Sequence, residues 1–266
     1  MLRMKQIVVG VLGPIASGKD TVADMLVDTF GFVKYKFTDP IVDALSTIFN
    51  VPASIFEDRE FKEKPSDFLM GKSPRDLMKS LGNEWGRNLV DPDMWINRLD
   101  SRIRADIADA MDDAGITYDN VADNDDITLP TLKIVIPTIR YENEIKYLIN
   151  LNRALKDMRK EYGLEVTARS LLIRLERPTK TQDTFDEAGI PASEKLASIQ
   201  DESHFDQLIW DLYESCKSVT LGDCSLRFSY VTIVNDTTLR FLRDRVLQDV
   251  FNHAILHISH IKKSTR

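Results

Sequence analysis

The stretch of sequence that decides the fold is residues 7–21, IVVGVLGPIASGKDT. Its first part, residues 7–12, is an apolar and mostly β-branched run that predicts a buried strand. A turn with two glycines follows, and a helical pattern begins at Thr21. This order brings backbone N–H groups and the positive end of a helix dipole to one place. We therefore expect a phosphate to bind at the turn.

The spacing of Gly13, Gly18 and Lys19 fits the pattern G-x-x-x-x-G-K of nucleotide-binding loops. The glycines let the backbone approach the phosphates, and the lysine reaches the β- and γ-phosphates. Asp20 stands where a serine or threonine usually binds Mg²⁺, and Thr21 comes next. Because Mg²⁺ prefers hard oxygen ligands and keeps several waters, Asp20 still suits the metal. The alternative is a chance glycine-rich turn, which the order of strand, turn and helix disfavours.

Composition limits the classes of partner. The chain has 266 residues, is 43% hydrophobic and carries a net charge of −7. Since a negative surface gives no general attraction to polyanions, we expect no nucleic-acid polymer as a partner. The only two cysteines, Cys216 and Cys224, have neither zinc-site nor disulfide-scaffold spacing. Without an apolar run of about 18 residues or a cleavable signal, we expect a soluble, cytoplasmic protein with no membrane partner.

Further apolar runs lie along the chain at Leu132–Ile136, Leu171–Leu175 and Tyr230–Val234, and a short second strand is expected before Lys36. Strands that alternate with helices predict a mostly parallel sheet covered on both faces. We therefore expect a three-layer α/β fold. The predicted helices are residues 43–49, 74–89, 94–111, 142–162 and 238–251.

Two segments interrupt this alternation. Between Ala105 and Thr128 the chain has eight aspartates and no lysine or arginine. Such a segment buries little apolar surface, so we expect an insertion at about residues 105–130, in preference to a metal site. Residues 177–193 are rich in Pro, Gly, Thr and Asp and begin with an arginine, which is typical of a lid over phosphate. We place this lid at about residues 177–195.

Arginines at strand ends are candidates for phosphate binding, because phosphoryl transfer depends mostly on positioned cations and donors. Arg140 follows the strand around Ile136, at the edge where ligands of open α/β sheets bind. The structural alternative for Arg140 is an ion pair with Glu142 or Glu144. Either Arg174 or Arg177 is expected to neutralise the transferring phosphate, and Arg177 is preferred because it begins the polar loop.

Two places are candidates for an acceptor nucleotide. Lys36 and Phe37 follow the probable second strand, although an ordinary strand end with a turn at Asp39-Pro40 explains them equally well. Arg75 lies in the first turn of a helix that Ser73 caps. A cation there opposes the helix dipole unless an anion shares the site, so a phosphate is a reasonable partner for Arg75.

The chain resembles the phage-type deoxynucleoside monophosphate kinases, relatives of the P-loop nucleotide kinases. The resemblance runs through nearly the whole chain, and the Lys19-Asp20 junction is itself typical of the family. The matching motifs are residues 17–21, 34–37 with 40–45, 75–78 with 81–82, 94–96, 137–144, 177–178 with 183–184 and 187–191, and 234–236.

The resemblance implies a nucleoside monophosphate kinase-like fold over residues 1–266, with an acceptor-binding helical region at about 40–100. It implies that ATP donates its γ-phosphoryl group, with Mg²⁺, to a deoxynucleoside monophosphate for DNA precursor synthesis. It also suggests a homodimer of phage origin in the host cytoplasm. Together, the motifs and the resemblance assign donor binding to Gly13, Ala16, Ser17, Gly18, Lys19, Asp20 and Thr21, metal binding to Asp20 and Thr21, acceptor binding to Lys36, Phe37, Arg75, Arg140 and Glu144, and catalysis to Lys19, Arg140 and Arg177.

Three positions depart from the family pattern. Thr138 stands where an aspartate is common, Val42 where a lysine is common, and Phe185 where a histidine is expected in the lid. Two other classes of function remain open on sequence alone. One is a P-loop kinase of the dephospho-coenzyme A or phosphomevalonate type, and the other is a nucleotide-binding module without transfer activity.

Overall fold

The computed structural model of the protein describes residues 3–14, 17–58, 60–113, 115, 131–150, 165–176, 202–217, 227–235 and 239–250. The chain divides into two compact units. The sheet unit comprises residues 1–34 and 112–266, and the helical unit comprises residues 35–111. The predicted acceptor-binding region, at about 40–100, falls within the helical unit.

The described elements follow one another in this order: β1 (Arg3–Leu12), α1 (Lys19–Phe30), β2 (Val33–Lys34), α2 (Asp39–Phe49), α3 (Ser54–Glu57), a 3₁₀ turn (Asp67–Leu69), α4 (Pro74–Lys79), a π-helix (Ser80–Val90), α5 (Met94–Asp113), β3 (Leu132–Ile139), α6 (residues 142–150), β4 (Glu165–Glu176), α7 (Glu202–Lys217), β5 (Arg227–Val234) and α8 (Leu239–Val250).

The five strands form one parallel sheet in the order β2-β3-β1-β4-β5, with β1 at its centre. Side chains alternate between the two faces of a strand. Val9 and Val11 pack with buried residues of α1 and α8. Gly10 lies on the opposite face, where an added Cβ would clash with the Leu148 side chain of α6. Helices therefore cover both faces, and the predicted α/β fold with a mostly parallel sheet is confirmed.

The first helix of the helical unit, α2, begins earlier than the sequence predicted. Helix α2 starts at Asp39, four residues earlier than expected, with Pro40 in its first turn. The Asp39 carboxylate accepts a hydrogen bond of 2.9 Å from the Lys36 backbone N–H. Proline suits the first turn of a helix, because it has no N–H to leave unpaired there and its fixed φ is close to the helical value. Asp39-Pro40 therefore begins a helix and does not form a turn at the end of a strand.

The helix predicted over residues 74–89 is α4 followed by the π-helix. Two glycines of the π-helix, Gly82 and Gly86, lie close to the buried indole of Trp95. The Trp95 Nε1–H donates to the Gly82 carbonyl at 2.7 Å, and a Cβ on Gly86 would lie 2.6 Å from the same nitrogen. The indole thus occupies the space that a side chain would need at Gly86, whereas a Cβ on Gly82 would lie 2.9 Å from the Ile41 side chain of α2.

Helix α5 extends further than its prediction and reaches Asp113. The first nine residues of the predicted insertion, 105–113, are therefore helical, and Ile107 and Met111 are buried. The sequence signal for this last part of α5 was the four-residue spacing of its apolar side chains. The many aspartates between them favoured the prediction of a polar insertion instead. Apart from Gly115, the rest of the insertion lies outside the described residues, as does the whole predicted lid. Among the helices that are described, none has the length and apolar character needed to span a bilayer.

Candidate functional site

The parallel sheet brings the ends of its strands to one edge. Leu12, the last residue of β1, lies opposite Ile139 of β3 on one side and Arg174 of β4 on the other. The loop that follows β1 and the arginine that follows β3, Arg140, therefore leave the sheet side by side. Ligands of open α/β sheets bind at this edge.

The loop between β1 and α1 requires glycine at two positions. Gly18 has φ +100°, in the left-handed region, and caps the N-terminus of α1. A Cβ on Gly13 would lie 2.6 Å from the Ser17 Oγ and 2.7 Å from the Leu175 carbonyl oxygen. The first glycine is needed because the loop packs tightly against the end of β4, and the second because of its backbone conformation.

The side chain of Lys19, at the start of α1, places its positive charge beside the first residues of this loop. Its ammonium group donates hydrogen bonds of 2.6 Å to the carbonyls of both Gly13 and Pro14. Ser17, at the other end of the loop, is completely buried, and its Oγ has no hydrogen-bond partner within the described part of the chain. The loop thus combines a localised cation with a helix N-terminus, an arrangement that binds anions.

Asp20 and Thr21 lie in the first turn of α1. The Asp20 side chain is 50% exposed, and its carboxylate is 3.5 Å from the Lys34 Nζ, which also pairs with Asp24 at 2.8 Å. In the described ranges, no group of three or more His, Cys, Asp or Glu residues is placed to hold a metal. An accessible carboxylate beside a phosphate-binding loop fits Mg²⁺, which commonly takes one or two carboxylates, substrate phosphates and water.

Arg140 is held through its backbone. The N–H groups of Arg140 and Tyr141 donate to the Glu144 carboxylate at 2.7 and 3.2 Å, and Glu144 is 2% exposed. No described residue forms an ion pair with the Arg140 guanidinium, so the alternative pairing with Glu142 or Glu144 is not observed. Glu144 anchors the start of α6 here, and acceptor binding by Glu144 stays a prediction.

Arg174, the alternative to Arg177, is almost fully buried. Its guanidinium stacks on the ring of Phe205 at 4.3 Å and lies 3.2 Å from the Glu176 carboxylate. Arg174 thus packs within the sheet unit against Phe205 of α7 instead of projecting into solvent at the strand end. Arg177 and two residues of the loop, Ile15 and Ala16, lie outside the described residues, so their predicted roles stay predictions.

The predicted acceptor residues of the helical unit have partners of their own. The Lys36 Nζ pairs with Glu57 at 2.6 Å, and Phe37 is only 3% exposed. Arg75, which is 45% exposed, forms an ion pair with Glu63. The predicted anion beside Arg75 is therefore a carboxylate of the protein itself, although an acceptor phosphate remains a prediction for this residue.

One residue that contacts the loop, Asn235, was not among the functional residues predicted from sequence. Asn235 follows β5, and its side-chain N–H donates to the Ser17 carbonyl at 2.8 Å. The sequence carried a signal, because an amide directly after an apolar strand of a parallel sheet lies at the ligand-binding edge. What the sequence lacked was the strand order, which puts β4 between β5 and the loop-bearing β1.

Comparison with known proteins gives one similar sequence. No family model matches the chain. Over 198 residues, 73% of this chain and 84% of the relative, it is 26% identical to a protein of Acanthamoeba polyphaga mimivirus named "Putative deoxynucleotide monophosphate kinase". The resemblance inferred from the motifs is thereby confirmed. Among solved structures, a dephospho-CoA kinase from Campylobacter jejuni is 16% identical and covers 94% of this chain and 98% of its own, with a TM-score of 0.31.

Proposed function

We propose that this protein transfers the γ-phosphoryl group of ATP to a deoxynucleoside 5′-monophosphate, giving ADP and a deoxynucleoside diphosphate. The observation that carries the proposal is the loop between β1 and α1, with Gly18 in the left-handed region and the Lys19 ammonium held at the loop carbonyls. The similarity to the mimivirus protein supports kinase activity on a nucleotide-type substrate. The deoxynucleotide acceptor is the proposed refinement.

In the proposed reaction, the loop holds the donor. Backbone N–H groups of residues 13–20 bind the β- and γ-phosphates, except Pro14, which has no N–H, and Ser17, whose N–H donates to the Pro14 carbonyl. The dipole of α1 favours the negative charge of the phosphates, and Lys19 moves from the loop carbonyls to the phosphate oxygens. Mg²⁺, when bound, supplies further charge neutralisation on the phosphates. Asp20 would hold it, with the Thr21 hydroxyl as a second oxygen in the same turn.

The acceptor needs alignment rather than activation. A phosphate oxygen of the monophosphate is the nucleophile and is already ionised at neutral pH, so no general base is required. Arg140 leaves the sheet beside the loop, and a guanidinium binds phosphate with two parallel hydrogen bonds. We assign Arg140 to the acceptor phosphate and Arg177 to the charge that develops on the transferring group.

The test is an ADP-release assay with ATP and a panel of ribo- and deoxynucleoside monophosphates, dephospho-coenzyme A and phosphomevalonate. We expect ADP release only with deoxynucleoside monophosphates. Lys19→Ala should lower kcat/KM by about 10²- to 10³-fold, the usual effect of losing one preorganised donor. Lys133→Ala is the matched control, because the Lys133 ammonium also donates to a backbone carbonyl, that of Phe30, but lies at the end of β3 away from the loop.

Three results would contradict the proposal. ADP release that does not depend on any acceptor indicates a nucleotide hydrolase, nucleotide binding without ADP release indicates a binding module, and release that depends on dephospho-coenzyme A or phosphomevalonate indicates another class of kinase. Near-normal activity of Lys19→Ala, with the Lys133→Ala control unaffected, would refute the assignment of the donor to this loop.

A further inference from the structure

Asn235 joins three segments of the sheet unit. Its backbone N–H donates to the Glu176 carbonyl at 2.7 Å, which adds one hydrogen bond beyond the last β4–β5 residue pair. Its side-chain amide donates to the Ser17 carbonyl at 2.8 Å, across 218 residues of sequence. The sheet therefore holds the backbone of the residue that contacts the loop, so little freedom is lost when the side-chain bond forms.

The contact fixes one peptide plane of the loop. In a trans peptide the C=O and the following N–H point in opposite directions. Because the Ser17 carbonyl points to Asn235, the Gly18 N–H points away from Asn235. No described residue accepts a hydrogen bond from this N–H. A phosphate oxygen would supply the missing acceptor.

Alternative orientations of this peptide are restricted from both sides. The Ser17 N–H donates to the Pro14 carbonyl at 3.2 Å, and the Ser17 side chain is fully buried. Asn235 also lies close to the next residue, since a Cβ on Gly18 would be 3.1 Å from the Asn235 amide nitrogen. The left-handed Gly18 and the amide of Asn235 thus fit together as a pair.

We propose that Asn235 is a positioning residue for phosphate binding: its amide holds the Ser17 carbonyl and thereby directs the Gly18 N–H at the donor's phosphates. Asn235 itself touches neither nucleotide nor the reacting atoms in this role. The proposal rests on the proposed function, because it assumes that the loop binds the donor. Asn235 should therefore determine affinity for ATP and leave the affinity for the acceptor unchanged.

The test compares Asn235→Leu, which keeps the approximate volume and removes the donor, with the wild-type protein. We expect the Kd for a non-hydrolysable ATP analogue, measured by calorimetry, and the KM for ATP to rise about tenfold, since one hydrogen bond is lost and a loop carbonyl is released. The KM for the deoxynucleoside monophosphate should stay within about twofold. Gln207→Ala, which removes an exposed amide bonded to Asp211 in α7, should change neither constant.

Thermal unfolding without nucleotide shows whether the variant folds, and Asn235→Ala replaces Asn235→Leu if the larger side chain prevents folding. Unchanged affinity for the ATP analogue would overturn the proposal. Equal loss of affinity for both substrates would overturn it too, because that indicates general disorder. If the wild-type protein binds the analogue without acceptor-dependent ADP release, the proposed kinase function fails while the binding comparison still decides the role of Asn235.

Discussion

Gly13→Ala is the substitution whose effect the structure determines most closely. The new Cβ would lie 2.6 Å from the Ser17 Oγ, 2.7 Å from the Leu175 carbonyl oxygen and 3.1 Å from the Leu175 Cβ. Leu175 belongs to β4, which pairs with both β1 and β5, so its backbone has no room to retreat. The loop must move instead. Overpacking of this kind costs about 1–3 kcal/mol.

The functional effect of Gly13→Ala should exceed its effect on stability. Displacing phosphate-binding groups by about 1 Å lowers activity on the order of 10²-fold. Steady-state kinetics of ATP-dependent ADP release would measure the loss of kcat/KM, and urea denaturation would measure the loss of stability.

The control for this prediction is Gly31→Ala, at the other end of α1. Gly31 has φ +67°, and its added Cβ meets nothing within 4 Å. That substitution should cost about 1 kcal/mol through backbone strain and leave kcat/KM unchanged. The reasoning is refuted if Gly13→Ala retains wild-type kinetics, or if both variants lose activity in proportion to their loss of stability.

Three further predictions concern other parts of the molecule. Glu144→Ala removes the acceptor of the Arg140 and Tyr141 N–H groups, so it should cost about 1–3 kcal/mol in urea denaturation and raise the KM for the acceptor; an unchanged KM would separate Glu144 from the function of Arg140. Ser73→Ala removes the N-cap of α4 and should cost about 1 kcal/mol at neutral pH. Hydrogen bonds from Ser73 hold the pKa of Asp76 below its usual range, so the stability that they contribute is present above the ordinary pKa of aspartate and is lost as pH falls through the lowered value. The free energy of unfolding that Ser73→Ala loses relative to the wild-type protein should therefore shrink over that acid range in a series of denaturation measurements. A loss that stays constant with pH would contradict this. EDTA should abolish ADP release and added Mg²⁺ should restore it, whereas full activity in EDTA would exclude a role for Asp20 and Thr21 in metal binding.

The sheet could be predicted because each of its longer strands is recognisable from a few consecutive residues. Buried parallel strands require apolar side chains on both faces, and residues 7–12, 132–136, 171–175 and 230–234 each lie within an observed strand. The phosphate-binding loop could be predicted as well, because Gly13 is required by close packing and Gly18 by its positive φ. Both signals are contained in a few consecutive residues.

What sequence could not supply were partners distant along the chain. Nothing near Arg75 indicates that Glu63 would take the place of an external anion, and nothing near Phe37 indicates that its ring would be buried. The contact of Asn235 with Ser17 depends on the strand order. The π-helix was also missed, because its two glycines are explained by side chains of other helices, Ile41 of α2 at Gly82 and Trp95 of α5 at Gly86.

The most direct test of the account follows the phosphoryl group itself. ATP labelled with ³²P at the γ-phosphate is mixed with the protein, Mg²⁺ and one deoxynucleoside monophosphate, and the nucleotides are separated by chromatography. The account predicts that the label appears in the deoxynucleoside diphosphate at the rate at which ADP forms. Label recovered only as inorganic phosphate, or retained in ATP at every acceptor tested, would contradict it.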